Sequence, residues 1–334
     1  MIACNLPIPL HSKLFVQHAA HSGFRHLYEA IENRLMELLP LPKSEENPLI
    51  HAMHTGVLAP GKRTRSVMMM LACNGLNGNT KAVLDLACSV EMVHTASLFM
   101  DDLPCMDNAH TRRGLPAAHV QYGQDVAMLA AVALLAEALR LVASTSSLSA
   151  DVRSHVVVVL SRAVGPQGLA KGQYLDLHNG PRVRGEQDIA VVNGQKTGAL
   201  FSAALEMTAL ACNASIRSRT SLQAAAIEIG QAFQMRNDLE DGSHAVSSAS
   251  KERYKDIGKS TMVSLLGRET VQLRMRKHLA DAVVHLQAAL PKDEQMVKFT
   301  MQAFGLPSSD MEPRTASVET GSFPKRSFQH MATG

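Results

Sequence analysis

The residues best suited to chemistry fall into two acidic clusters and three basic groups. The first acidic cluster is Asp101, Asp102 and Asp107, within the segment HTASLFMDDLPCMDNAHTRRG from His94 to Gly114. It lies where a very apolar run gives way to a polar turn. Carboxylates leaving a core without partners are costly, and an all-oxygen set of this kind suggests Mg2+. On a regular helix Asp101 and Asp107 would point about 120° apart. Pro104 stands between them and cannot donate a main-chain hydrogen bond. A bulge there would return Asp107 to the face of Asp101. A solvated helix end, with its acids paired to Arg112 and Arg113, accounts for the same residues equally well. On the metal reading the two arginines fit bidentate contact with a phosphate-bearing ligand.

The second cluster is in GQAFQMRNDLEDGS, from Gly230 to Ser243. Gln234, Asp238 and Asp241 follow at steps of four and three and so share a helix face. Acids at a helix C-terminus oppose the helix dipole, which calls for a metal or a cationic partner. A polar fringe is the plainer alternative. The basic groups are Gly61-Lys62-Arg63-Thr64-Arg65, Lys196-Thr197-Gly198, and Lys255-Asp256 with Gly258-Lys259-Ser260-Thr261. The first precedes an apolar helix, whose N-terminus would attract anions. The last is not a Walker A loop, because the upstream Gly and the preceding strand are missing. Taken singly, each basic group reads as ordinary surface charge. Together with two acidic clusters they read as a site for a metal-bound polyanion.

These groups must be positioned by helices. Residues 21–39 place Phe24, Leu27, Ile31, Leu35 and Leu38 on one stripe. Residues 81–100 and 125–143 are apolar nearly all round, as in the centre of a large bundle. Further helices are expected over 150–164, 188–212, 218–240, 260–290 and 294–303. Breakers mark loops at 40–48, 74–79, 108–116, 179–186 and 242–258. There is no βαβ alternation and no internal repeat. We expect an N-terminal segment over 1–20, one domain over 21–308 and a polar tail over 309–334.

Composition narrows the classes. The 334 residues are 46% hydrophobic and 19% charged, enough apolar material for a large core. Aromatics are only 4%, with no Trp and 18 Met, which disfavours β-sandwiches and barrels. It also disfavours a base-stacking nucleic-acid platform. A net charge of +3 is too small to imply nucleic acid or an acidic membrane. The five Cys are dispersed and contain no CxxC, so neither a disulfide framework nor a zinc site is expected. The longest apolar stretch, 126–136, is too short to span a bilayer of about 20 residues. The expectation is a soluble, cytoplasmic protein without a transmembrane segment or nucleic-acid partner.

The ordered set APGKR, EMVHTASLFMDDLPCMDN, RRG, KTG, GQAFQ, NDLED and GKST resembles the trans-prenyltransferases, the isoprenyl diphosphate synthases. The likeness is greatest to the bacterial geranylgeranyl diphosphate type and runs from about residue 25 to about residue 305. It implies an all-α fold, an isoprenoid synthase-type helical bundle around a central active-site cavity, usually as a homodimer. It implies Mg2+ held by Asp101, Asp102 and Asp107 and by Asp238 and Asp241. Isopentenyl diphosphate would be bound by Lys62, Arg65, His94 and Arg113, with Arg63 as an alternative. The allylic diphosphate would be bound by Arg112, Lys196, Thr197, Gln234, Lys255 and Lys259. The catalytic set would be Asp101, Asp102, Lys196, Thr197, Gln234 and Asp238. Small residues one turn before Asp101, Ala96 and Ser97, with the Pro104-Cys105 insertion, resemble the twenty-carbon type, where no aromatic floor stops the growing tail.

The chain also departs from that family. Asn237 stands where an Asp is usual and brings no charge to a third Mg2+, so that metal should bind more weakly unless Glu240 turns toward it. Ser66 replaces a usual Pro, Ala109 a usual acid, and the Gly before Lys255 is missing. Three other readings share the likeness: a shorter-chain (geranyl or farnesyl) diphosphate synthase, a non-catalytic modulatory subunit and a class I terpene cyclase. Against the cyclase, Asp241 and Ala245 stand where its metal motif has Ser or Thr and then Glu, and the aromatics that hold cations are scarce.

Overall fold

The computed structural model describes residues 22–40, 47–178, 185–241 and 261–306. Among these, fourteen α-helices and one two-stranded ribbon are found. They are α1 (Arg25–Leu38), α2 (Pro48–Val57), α3 (Thr64–Gly75), α4 (Thr80–Asp101), β1 (Thr111–Arg112), β2 (Leu115–Pro116), α5 (Ala118–Tyr122) and α6 (Gln124–Ser144). There follow α7 (Ala150–Val164), α8 (Leu169–His178), α9 (Glu186–Asn193), a π turn over Gly194–Gly198, and α10 (Ala199–Ala211). The last are α11 (Ile216–Asp241), α12 (Met262–Leu266), α13 (Arg268–Ala289) and α14 (Gln295–Ala303).

The starts of these helices are set by local chemistry. Asn47 accepts a hydrogen bond from the Ile50 amide at 3.3 Å, with Pro48 in the first turn. Asn79 does the same for Ala82 at 3.1 Å and Ser149 for Val152 at 3.3 Å. Thr261 and Ser264 form a capping box. Gly123 and Gly267, at φ 98° and 79°, turn the chain before α6 and α13 in the region that favours glycine.

The bundle is built around α4. Val83, Leu86, Val90, Met92, Val93 and Ala96 of this helix are buried, and α3, α6 and α10 pack against it. α3 is itself buried from Val67 to Cys73. The expected stripe on α1 is present, with Leu27, Ile31 and Leu35 buried. α11 and α13 pair along their lengths on the other side. One large core joins nearly all the helices; a small satellite of Ile189, Met235, Leu239, Met262 and Val271 lies near the end of α11.

The structure changes several expectations. The helix expected over 188–212 is interrupted by the π turn, which carries Lys196 and Thr197. The helix expected over 260–290 breaks at Gly267, whose positive φ no α-helix accommodates. α2, α5 and α8 are helices that no apolar periodicity announced. The expected loop 108–116 contains the ribbon, in which Thr111 pairs with Pro116 and Arg112 with Leu115. α4 and α6 are both long and apolar enough to cross a membrane by composition. α4 is the core helix; the most apolar stretch of α6 is only 39% buried. The segments 1–20 and 309–334 lie outside the described residues.

Candidate active site

α4 ends at Asp101, and the chain then folds back on itself. The Asp107 amide donates to the Asp101 carbonyl at 2.9 Å, Asn108 to Leu103 at 3.0 Å and Ala109 to Asp102 at 3.1 Å. Asn108 adopts φ 47°, a conformation Asn tolerates. Asp107 is thus returned beside Asp101 by a compact loop rather than by the expected bulge in a continued helix. Asp102 goes elsewhere. It is 2% exposed and accepts both Nε and Nη2 of Arg112. It orients that arginine.

The ribbon turns through Arg113 and Gly114, at φ 54° and 75°. This double positive φ is the signature of a type I′ hairpin. Holding a non-glycine residue there costs energy, and the result is to aim Arg113 inward. Its guanidinium lies against Gly61, where a Cβ would come within 2.7 Å of Nη1. It also reaches Nε2 of His94 at 3.5 Å. Arg65 completes this group, stacked over the Phe201 ring at 4.3 Å. Its Nε is buried without a hydrogen-bond partner among the described residues.

The charge state of this group is unusual. Burial, followed by the neighbouring cations, pushes the guanidinium of Arg65 down to about 10 and that of Arg113 to about 10. Burial and the charges of Arg65 and Arg113 also push His94 well below the ordinary histidine range, so its imidazole is neutral. Partial burial and Arg236 lower the Lys62 ammonium, whose side chain still reaches solvent. Glu91 offsets the lowering of both arginines only in part.

Arg63 is a different case. It is 3% exposed, pairs with Glu32 at 3.3 Å and Glu91 at 3.0 Å, and donates to the carbonyls of Val57 and Ala59. Ser66 donates to Glu91 at 2.5 Å. Arg63 is therefore a structural ion-pair residue and is removed as an alternative ligand.

Across the site, the π turn presents Lys196 and Thr197. π turns are rare and frequent at functional sites. Two glycines make room for this one. A Cβ on Gly172 would come within 2.5 Å of the Lys196 nitrogen, and one on Gly230 within 2.8 Å of the Gly198 Cα. The Lys196 ammonium contacts Asp176 of α8 at 2.9 Å. Although burial alone would lower it, Asp101, Asp176 and Asp107 hold it raised and charged. Thr197 donates to Gln234 Oε1 at 2.9 Å, and Gln234 Nε2 donates to Asp238 Oδ1 at 3.0 Å. The Met262 amide donates to Asp238 Oδ2 at 3.1 Å. The π turn thus touches both acidic clusters.

Asp176 and the rings of Phe201 and Phe233, 5.4 Å apart, were missed in the sequence. Asp176 sits in KGQYLDLH, whose weak periodicity hid the helix. Glu240 pairs with Arg236 at 2.6 Å, so it does not turn in to support Asn237. Ala96 is buried, while Ser97 donates to the His94 carbonyl at 2.8 Å. Phe99 points the other way, against Gly56 of α2. Asp241 ends α11; Lys255 and Lys259 lie outside the described residues.

Magnesium fits the first acidic cluster. Mg2+ is commonly held by one or two carboxylates together with substrate phosphates. Asp101 and Asp107 would supply hard oxygen ligands, and their joint effect on Lys196 puts both at one side of the site.

A helical bundle with acidic helix ends facing buried cationic groups defines a class of diphosphate-handling, all-α enzymes. Residues 46–300 match the polyprenyl synthetase family. The chain belongs to this family. It is 42% identical over 295 residues to a geranylgeranyl diphosphate synthase of Pseudescherichia vulneris, covering 88% of this chain and 95% of that protein. It is likewise 42% identical over 274 residues to one of Pantoea ananas, covering 81% and 89%. The fold is similar to a geranyltransferase of Helicobacter pylori complexed with magnesium and isoprenyl diphosphate, with TM-score 0.76, 26% identity and 85% and 97% coverage.

Proposed function

We propose that this chain is a geranylgeranyl diphosphate synthase that condenses isopentenyl diphosphate with allylic diphosphates. One observation carries the reading. Lys196 is held charged by three carboxylates, while burial lowers Arg65 and Arg113 despite the nearby Glu91. The first environment suits a leaving diphosphate bridged to carboxylates through metal; the second suits a diphosphate that arrives with its own charge. The match to bacterial geranylgeranyl diphosphate synthases over most of both chains supports it.

Mg2+, when bound at Asp101, Asp107, Asp238 and Asp241, supplies charge stabilisation for the departing diphosphate. Arg112, oriented by Asp102, and Lys196, already protonated, bind the same group and stabilise the charge that develops on it. Lys255 and Lys259 belong to this set by sequence. The allylic group ionises to a carbocation. Thr197 has committed its proton to Gln234, so its oxygen lone pairs are left to face that cation. Lys62, Arg65, His94 and Arg113 hold the isopentenyl diphosphate so that its double bond attacks. The proton then lost goes to the released diphosphate. Phe201 and Phe233 wall the arginine end and exclude water, which would capture the cation.

Product length follows from Ala96 and Ser97, which offer no aromatic floor, with Phe99 packed away against α2. Homodimerisation is supported by the exposed apolar stripe Met128, Leu129 and Val132 of α6, continued by Val120 of α5. We place the enzyme in the cytoplasm, where no membrane partner is needed for these soluble substrates. The test is to supply purified protein with Mg2+, labelled isopentenyl diphosphate and each allylic starter. A twenty-carbon diphosphate is expected, and Ala96→Tyr should shorten it. Hydrocarbon release without elongation would indicate a cyclase, shorter products a short-chain synthase, and inactivity relieved by a partner a modulatory subunit. Each of these results overturns the proposal.

A further inference from the structure

Outside the active site, two cysteines meet. Cys73 is in the last turn of α3 and Cys212 directly follows α10. Both sulfurs lie against Gly78. The loop after α3 closes over both sulfurs: the Gly78 amide donates to the Cys73 carbonyl at 2.9 Å. A Cβ on Gly78 would lie 2.2 Å from the Cys212 sulfur and 3.2 Å from the Cys73 sulfur. Cys73 is buried, whereas Cys212 is partly open to solvent.

We propose that Cys73 and Cys212 are a disulfide-forming pair that closes under peroxide and staples the C-terminal ends of α3 and α10. One thiol of the pair attacks hydrogen peroxide; the O–O bond breaks, its sulfur becomes a sulfenic acid and one water leaves. The other thiol then attacks that sulfur, an S–S bond forms, and the departing hydroxide takes up that thiol's proton as a second water. Two thiols are oxidised and one peroxide is reduced, so the step balances. α3 and α10 carry Lys62 and Arg65, and Lys196 and Thr197, at or just before their other ends. The staple therefore locks together the two helices that hold the two halves of the site.

The test uses the full chain, treated with hydrogen peroxide, quenched and digested without reductant. A peptide linking positions 73 and 212 is expected, with loss of two of the five thiols. The thermal midpoint should rise by several degrees, because the bond closes a very long loop, and fall back with dithiothreitol. Cys212→Ser should lose both the linked peptide and the shift, and Cys105→Ser, at an exposed cysteine, should keep both. If Cys212→Ser fails to fold, the peptide analysis of the unaltered chain decides alone. Sulfinic acid at Cys212, a different linked pair, or no linked peptide overturns the proposal.

Discussion

At the scale of single residues, the same side-chain type serves opposite ends. Arg63 and Arg65 are two positions apart, yet Arg63 is sealed between Glu32 and Glu91 while Arg65 stacks over the Phe201 ring. Two consequences can be measured. Thr197→Val keeps the shape but removes the proton given to Gln234. It should lower kcat roughly tenfold, with isopentenyl diphosphate KM little changed, in steady-state assays. His94 gives a pH signature. Its folded pKa lies below the unfolded value, so it costs nothing above about pH 6.5, where both states are neutral. As pH falls below that, the unfolded chain takes the proton first and stability is lost, by at most about 1.4 kcal/mol per pH unit. Denaturant titrations of the ligand-free protein between pH 7 and pH 5 should show this slope, and His94→Gln should flatten it.

At the scale of elements, the decisive ones are the irregular ones. The acidic clusters, the basic groups and most long helices were legible in the sequence, because charge against an apolar run and 3.6-residue periodicity are local signals. Asp107 could be paired with Asp101 only through a loop whose hydrogen bonds run back across Pro104, and spacing alone does not encode them. The π turn was invisible for a related reason. Apolar periodicity runs through residues 188–212, and one widened turn shifts its phase too little to read. α8 escaped notice because a half-polar face dilutes its period. The pairing of Asp102 with Arg112, one of the two readings the spacing allowed, is set by the ribbon that brings Arg112 close. The glycines around the π turn offer a test at this scale. Gly230→Ala places a methyl against the Gly198 backbone, which cannot swing away like a side chain. It should cost about 1–3 kcal/mol of stability as overpacking and reduce kcat more than tenfold by displacing Lys196 and Thr197. Circular dichroism should stay helical.

At the scale of the molecule, α4 and α6 divide the labour between core and surface. Both are apolar, but α4 is enclosed by its neighbours while α6 exposes Leu129 and Val132 at 58% and 63%. A stripe of this size on a surface helix is a liability unless covered. Replacing Leu129 and Val132 together by Glu should convert a dimer to monomers in light scattering, while leaving the helix content intact. An unchanged mass would place the dimer contact elsewhere.

The π turn also has an evolutionary reading. It amounts to one residue more than an α-helix needs over that stretch, so removing a single codon between 194 and 198 would restore a regular helix. The apolar composition of the helix would be nearly unchanged, yet Lys196 and Thr197 would leave their stations together. Chemistry here is kept by a surplus residue, and the lineage can lose it by a deletion that the core scarcely registers.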